Sequence, residues 1–443
     1  MCYAIPGKVL EVKDNIAIID YFGEQRKAMS ELDLQPGEYV YAQGGIVINK
    51  IPENEALEIL EIWKTKFFEL KKIDSQLSID PLNEAKNSQT ISDNLLGILQ
   101  KVNLGKKLEK EEILTLLKVT DKDELSLLYS FANNIRQKVH DNACCVHGII
   151  EFSNHCKQNC KYCGIRRDAS CSDFAVDSEN CVKRYRMSKD DIIKTAKHAA
   201  DELKFKALVL QSGEDDHYTD DMLCEIIKEI RKLDVLVFIS FGMRSKESYE
   251  KFYGAGARAI LLRFETSNQE IFNNIRPETS FEERIELIKY AKELGFVVAT
   301  GFIQGFPEET EEDILNNLML TKELGAEMYS FGPLIPTKGT PLQNQPMIGK
   351  DQILKTIAVT RIIDNDCNIL VTTAMETLDK NAKKQGLLAG GNSLMINVTP
   401  YEFRKLYGIY ENRIDRDIEI EDNIEETIDL LYSLGRAPTD IGI

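Results

Sequence analysis

Cys156, Cys160 and Cys163 stand in C-x3-C-x2-C spacing inside FSNHCKQNCKYCGIRR. Three thiolates on one short loop can hold three irons of a [4Fe–4S] cube, leaving the fourth iron without a protein ligand. Electron-transfer clusters are tied down by four cysteines; a cluster short of one ligand keeps a position open to a small molecule. A structural zinc site asks for four protein ligands, and a catalytic one for three drawn from a different mix of histidine and carboxylate. The spacing therefore points to iron–sulfur chemistry at an open iron rather than to three incidental thiols.

A cluster loop needs a frame, and the flanking chain supplies one. From about residue 140 to 400, β-prone runs alternate with helical patterns: VHGIIEFS, KALVLQS, VLVFISF, ARAILLRFE, FVVATGFI, EMYSFGP, NILVTTA and SLMINV, separated by amphipathic segments near 188–203, 219–232, 280–293, 310–324 and 350–364. Eight β-α steps with right-handed crossovers predict an α/β fold, a (β/α)8 TIM-type barrel. Active sites of such barrels lie at the C-terminal ends of the strands, and the chemistry-bearing residues fall there. Cys156 follows the first strand, Gln211-Ser212-Gly213-Glu214-Asp215 ends the second, and Ser240 ends the third. Arg263 and Glu265 end the fourth, and Thr372 and Thr373 the seventh.

The chain before the barrel reads differently. KVLEV, AIIDY, QRKAM and YVYAQGGIVINKI are short strand-like runs separated by KDN, FGE and QPGE turns. They predict a small, closed, OB-like β-barrel, followed by a helix over about 53–71 with Trp63 and Phe67 on its apolar face. The expected organisation is 1–72 for this small barrel and helix, 73–90 for a linker, 91–139 for a helical extension, and 140–443 for the large barrel with its C-terminal tail. A net charge of −17 leaves no global positive field for nucleic acid. No run reaches transmembrane length and no secretory signal is visible, so the expectation is a cytoplasmic protein with no nucleic-acid or membrane partner. Ten cysteines in such a chain suit metals rather than disulfides.

With Tyr162 before its last cysteine, the triad resembles that of the radical SAM enzymes. The resemblance implies that the open iron chelates S-adenosylmethionine and that its reductive cleavage gives a 5′-deoxyadenosyl radical, the cofactor carrying the hard step. Ser212-Gly213-Glu214 resembles the family's GE motif, whose backbone receives the methionine ammonium group. Glu265 and Arg284 are the candidate polar grips on the cofactor. Tyr162 and Ser240 also belong to the expected cofactor-binding set. Gly301 and Gly305 suit close passage of the adenine by a strand end. Gln211, Arg263, Thr372, Thr373 and Tyr407 are expected to line the interior beyond the cofactor as substrate contacts. Cys144, Cys145, Cys224 and Cys367 read as structural, and Cys171 and Cys181 as free thiols.

From the triad onward, KRYRMSKDDI, LVLQSGED, LLRFET, SFEERIELIKYAKELGF, FGPLIPTKGTPL, VTTAM and TPYEFRKLYGIY resemble the HydE family of [FeFe]-hydrogenase maturases. That resemblance implies a closed internal cavity and work with the other maturases on the dithiolate bridge of the di-iron subcluster. It also implies a small sulfur- and iron-bearing intermediate as substrate. Some family members carry a second cluster on a C-terminal cysteine triad; no cysteine follows Tyr407 here, so none is expected. Where the family often has an arginine on the first strand, this chain has His147, which removes one expected anion contact from the cavity. MCYAIPGKVLEV and YVYAQGGIVINKI resemble the HypC family, whose cysteine after Met binds iron. Cys2 is thus a metal-ligand candidate, and the domain an expected donor, acceptor or docking site for an iron intermediate; the family's histidine aligns with Gln43. The alternative is another radical SAM mutase or sulfur-insertion enzyme, similar to methylornithine synthase or biotin synthase.

Overall fold

The computed structural model describes residues 3–86, 88–169 and 182–442; Cys2, Cys171 and Cys181 lie outside the described residues. Strands β1 (Gly7–Lys13), β2 (Ile16–Tyr21), β3 (Glu24–Met29), β4 (Tyr39–Gln43) and β5 (Ile46–Ile51) close into a barrel in the order β1-β2-β3-β5-β4. Asp14 and Asn15 both take positive φ, 49° and 63°, the backbone that a two-residue hairpin between right-twisted strands requires. Inward alternation puts Val9, Ala17, Ile19, Tyr21, Val40, Ala42 and Val47 in one core. The helix Glu53–Leu77 closes one side of it with Trp63, Phe67 and Leu70.

This helix continues past residue 71, where the polar run had suggested a linker. Asp74 is the reason. It is 1% exposed and takes a bidentate grip from Arg136, with Nη1 and Nη2 donating at 2.8 and 2.7 Å, while Arg436 Nε lies at 3.1 Å. A carboxylate that composition reads as a loop signal is here a tertiary contact between the small barrel's helix, the helix Lys122–His140 and the C-terminal tail. Gly435 (φ 68°) lets the tail approach, since a Cβ there would sit 2.2 Å from the Asp74 amide nitrogen.

Eight parallel strands form the large barrel: β6 (Ala143–Ser153), β7 (Ala207–Ser212), β8 (Leu236–Ser240), β9 (Ala259–Leu261), β10 (Val297–Thr300), then β12 (Met328–Pro333), β13 (Asn368–Val371) and β14 (Ser393–Asn397). Pairing of β10 with β12 and of β14 with β6 closes the ring. The two-residue strand β11 (Ile303–Gln304) extends the rim beside β12, and β15 (Ala437–Pro438) lies along the start of β6. The surrounding helices begin at side-chain caps: Ser188, Thr219, Ser280 and Thr310 accept from the backbone N–H of Asp191, Met222, Glu283 and Asp313. Among the described residues no helix is long and apolar enough to cross a membrane.

The small barrel seals the floor of the large one. Ile46 and Ile48 of β5 pack with Ala207, Leu236, Ala259, Ala299 and Met328, which stand at or near the N-terminal ends of the barrel strands. Gly44 comes so close that a Cβ would lie 2.8 Å from Leu236 Cδ2. Polar contacts ring this seam: Tyr3 Oη donates to Asn142 at 3.0 Å, Arg26 pairs with Asp141 at 3.1 Å, and Arg258 holds Glu31 at 2.8 Å.

Removing Asp74 leaves two buried guanidinium groups uncompensated. Asp74→Ala is expected to lower stability by about 3–5 kcal/mol, whereas breaking the exposed Lys66–Glu69 pair with Lys66→Ala should cost less than about 1 kcal/mol. Urea unfolding of the two variants beside the parent chain measures both.

Candidate active site

Strand β6 delivers the chain to the barrel mouth, where a clamped turn presents the triad. Asn154 donates to the carbonyls of Lys183 and Leu406 at 2.9 and 2.8 Å. Arg184 donates to the Ile165 and Arg166 carbonyls at 2.8 and 2.5 Å. The amides of Lys157 and Gly164 reach Glu214 O and Ile409 O at 2.9 and 2.8 Å. Gly213 must be glycine: a Cβ would lie 2.2 Å from His155 O and 2.8 Å from Cys156 Cβ. Cys156, Cys160 and Cys163 are free thiols facing one cavity. Burial pushes all three thiols up from their ordinary range, and for Cys160 the guanidinium of Arg276 is the main counterweight.

Beside the thiols lies a quartet of buried charges. Glu214 and Glu265 face Arg276 and Arg284, with Arg276 at 3.6 Å from Glu214 and 3.9 Å from Glu265, and Arg284 at 4.0 Å from each. All four are at most 7% exposed. These separations are ion pairs, not hydrogen bonds, and they leave valences free: Glu265 Oε2 and Arg284 Nη1 are buried without a hydrogen-bond partner. Arg284 is held by its Nε, which donates to Arg263 O at 2.5 Å. Glu265 sits at φ 73°, a left-handed backbone uncommon for a non-glycine residue. Its amide donates to Gly301 O, and its own carbonyl accepts from Ile303 N. The sequence reading missed Arg276, which comes from a short turn between two helices and donates to Tyr162 Oη at 3.1 Å.

The cavity measures about 300 Å³. Tyr162, Ser212, Gly213, Glu214, Ser240, Glu265 and Arg284 border it together with the thiols, and so do Gln211, Arg263, Thr372, Thr373 and Tyr407. Thr372 Oγ1 is buried with no partner. One expectation is corrected. Gly301 and Gly305 do not line the cavity; a Cβ at Gly301 would meet Ser330 O at 2.3 Å, so this glycine serves strand packing. His147 does not face the cavity either: it is buried lower in the barrel against the Phe238 ring.

A second polar group in the cavity was not legible in the sequence. Glu151 accepts from Arg413 at 2.8 Å and from Asn397 at 2.7 Å, and Arg413 also pairs with Asp415 at 2.7 Å. Only the inward alternation Ile149, Glu151 along the first strand signals it; Arg413 and Asp415 lie in a tail without periodicity. Burial raises the Glu151 carboxyl to about 7, against the pull of Arg413.

The residues present fit an iron–sulfur cluster and S-adenosylmethionine. Three thiols free of disulfides share one cavity with a carboxylate oxygen, a guanidinium nitrogen and a hydroxyl that lack hydrogen-bond partners. Such atoms suit the ammonium, carboxylate and ribose groups of the cofactor.

Comparison with known proteins bears on the same regions. Residues 150–320 match the model of the Radical SAM superfamily, residues 1–63 that of the HupF/HypC family, and residues 330–437 that of the Biotin and Thiamin Synthesis associated domain. The [FeFe] hydrogenase maturase subunit HydE of Thermotoga maritima is 37% identical over 344 residues, covering 77% of this chain and 94% of that protein. The 3-methylornithine synthase of Methanosarcina acetivorans is 27% identical over 343 residues, covering 76% and 93%. In fold, the crystal structure of methylornithine synthase (PylB) superposes with a TM-score of 0.67 at 24% identity, covering 77% of this chain and 97% of that one.

The Glu151 carboxyl is protonated up to about 7 in the folded chain but only up to its ordinary 4.5 when unfolded. Folding therefore takes up a proton between these values, and this group's contribution to stability falls as pH rises through that window. Between pH 5 and 8 the metal-free chain should lose about 2.5 kcal/mol from this source, and Glu151→Gln should flatten that part of the profile. Urea unfolding at a series of pH values measures it.

Proposed function

The chain belongs to the HydE family of radical SAM enzymes, which use a [4Fe–4S] cluster and S-adenosylmethionine, and from that premise we propose that it matures [FeFe]-hydrogenase. Its substrate in this reading is a small sulfur- and iron-bearing intermediate on the way to the dithiolate bridge, made with the other maturases. The observation that carries the reading is the convergence of unbonded Glu265 Oε2, Arg284 Nη1 and Thr372 Oγ1 on the cavity that also receives the three thiols.

Cys156, Cys160 and Cys163 would hold the cluster. When bound, cluster and S-adenosylmethionine together supply one-electron cleavage of the S–C5′ bond and hence a 5′-deoxyadenosyl radical. Arg284 and Arg276 offer guanidinium groups to the methionine carboxylate, and Glu265 accepts from its ammonium or from ribose hydroxyls. The backbone at Gly213 and Glu214 closes on the same end. Beyond the cofactor, Thr372, Thr373, Gln211, Arg263 and Tyr407 orient the substrate. The closed barrel around them excludes water, which protects a reactive intermediate.

A mutase acting on an amino acid is the second reading, favoured by Glu151, Arg413 and Asp415, which offer both signs of charge to a zwitterion. Sulfur insertion would draw on a second cluster. The described cysteines outside the triad, Cys144, Cys145, Cys224 and Cys367, do not border the cavity.

For the N-terminal domain we propose carriage or docking of an iron intermediate, with Cys2 as ligand. Gln43, at the position of the family's histidine, is fully buried with neither amide atom bonded.

Anaerobically reconstituted protein should cleave S-adenosylmethionine to 5′-deoxyadenosine and support activation of [FeFe]-hydrogenase in a mixture with the other maturases. Cys160→Ala should abolish both, and cleavage that persists in this variant would rule out the assigned cluster. In the cluster-loaded chain, Cys2→Ala should remove one equivalent of additional bound ferrous iron; equal uptake by parent and variant leaves Cys2 without its role.

A further inference from the structure

The floor of the large barrel carries a constellation that the radical chemistry does not use. Cys145 and His147 lie two residues apart on β6, so their side chains share one face. Asp440, in the tail just after β15, comes to meet them. One ligand atom from each of the three lies within 4.8 Å of the others, and His147 Nε2 stands 3.5 Å from Asp440 Oδ2. All three residues are buried: Cys145 is 4% exposed, and His147 and Asp440 are 1% each.

The hydrogen bonding of Asp440 and His147 is incomplete. Asp440 Oδ2 accepts from Val146 N at 3.0 Å and Thr439 Oγ1 at 2.9 Å, but Oδ1 has no partner, and His147 Nδ1 has none. Leaving a carboxylate oxygen and an imidazole nitrogen unsatisfied in the interior is costly. A cation among the three side chains would take one donor atom from each, and the cluster supplies such a set within 4.8 Å. Thiolate, neutral imidazole and carboxylate sum to a charge of about −2, which a divalent ion neutralises. Sulfur with nitrogen and oxygen donors favours a borderline-soft first-row ion, of the zinc and ferrous class, over magnesium or calcium.

We propose that Cys145, His147 and Asp440 form a mononuclear divalent transition-metal site in the barrel floor, at the seam covered by the small barrel. Bonds to such an ion run about 2.0–2.3 Å, so the three donors close by about an ångström to bind it. The site ties the first barrel strand to the C-terminal tail. The adjoining residue Asn142 is in turn held by Tyr3 Oη of the small barrel, and its own amide donates to Gly435 O. It lies apart from the thiol triad, which borders the cavity at the opposite, C-terminal ends of the strands. It depends neither on the radical reaction nor on Cys2.

The test uses the full chain carrying Cys2→Ala, so that the N-terminal thiol contributes nothing. The protein is expressed in cobalt-supplemented medium, letting the buried site fill as the chain folds, and its [4Fe–4S] cluster is then reconstituted. X-ray absorption at the cobalt edge reads this ion alone, whatever iron is present. One cobalt per chain is expected, with one sulfur neighbour at about 2.3 Å and imidazole scattering. Cys145→Ser should remove the sulfur neighbour, and His147→Gln and Asp440→Asn should each cut cobalt retention against a competing chelator at least tenfold. Cleavage of S-adenosylmethionine by the same samples identifies the variants that have folded, because none of the three residues borders the cavity. Cobalt absent from the parent, cobalt without a sulfur neighbour, or a sulfur neighbour that persists in folded Cys145→Ser overturns the proposal.

Discussion

Four charges buried beside three thiols are the constraint around which the rest of the molecule is arranged. Glu214, Glu265, Arg276 and Arg284 balance in sign, yet their nearest approaches, 3.6–4.0 Å, are too long to satisfy them as hydrogen bonds. Taking such ions out of water costs several kcal/mol each, and a loose quartet recovers only part of it. It is kept by a scaffold that over-determines its position. Glu214 is pinned by Gln158 Nε2 at 2.6 Å, Arg284 by a backbone carbonyl, and Glu265 by a left-handed backbone bonded on both sides. The stability spent there is what leaves donors and acceptors open for a charged ligand.

The scaffold rests in turn on its floor. A (β/α)8 barrel is filled by layers of side chains and is usually closed below by its own loops. Here a separate five-stranded barrel inserts Ile46 and Ile48 into the lowest layer. The Asp74–Arg136–Arg436 cluster fastens its helix to both the helical extension and the tail. The two barrels therefore share a core, and the N-terminal domain is a structural part of the enzyme.

Much of this was readable from residues alone, for definite reasons. A parallel barrel makes strand ends into a ring, so any polar residue closing a β-prone run points to the mouth; Gln211, Ser240, Glu265 and Thr372 follow that rule. Helices were legible from their amphipathic periodicity, and the runs near 188 and 219 begin at the Ser188 and Thr219 caps. What escaped depended on tertiary partners. Arg276 and Arg413 come from turns and a tail with no periodic pattern, and only the fold brings them to the cavity. Asp74 looked like a loop residue because its two arginines are 62 and 362 positions away. Gly301 looked like a ligand contact, though a glycine at a strand end equally serves close packing against a neighbouring strand.

Depth matters to how the two halves can work together. The cavity opens among the C-terminal ends of the strands, whereas the small barrel docks at their N-terminal ends. Between them lies a packed core containing Val209, Phe238, Leu370 and the docked Ile46 and Ile48. Such a barrel interior is a solid layer and not a pore. An iron species held by the N-terminal domain therefore has no straight path through the barrel to the thiol triad. Any transfer between them must run outside the strands, through a partner protein or by release of the small barrel from the floor. Release would expose Ile46, Ile48 and the apolar ends of five barrel strands together, a large cost for a chain to meet at each turnover. The geometry thus favours hand-off to and from a partner over an internal relay, and makes the fused domain a fixed station on the far side of the enzyme from its radical chemistry.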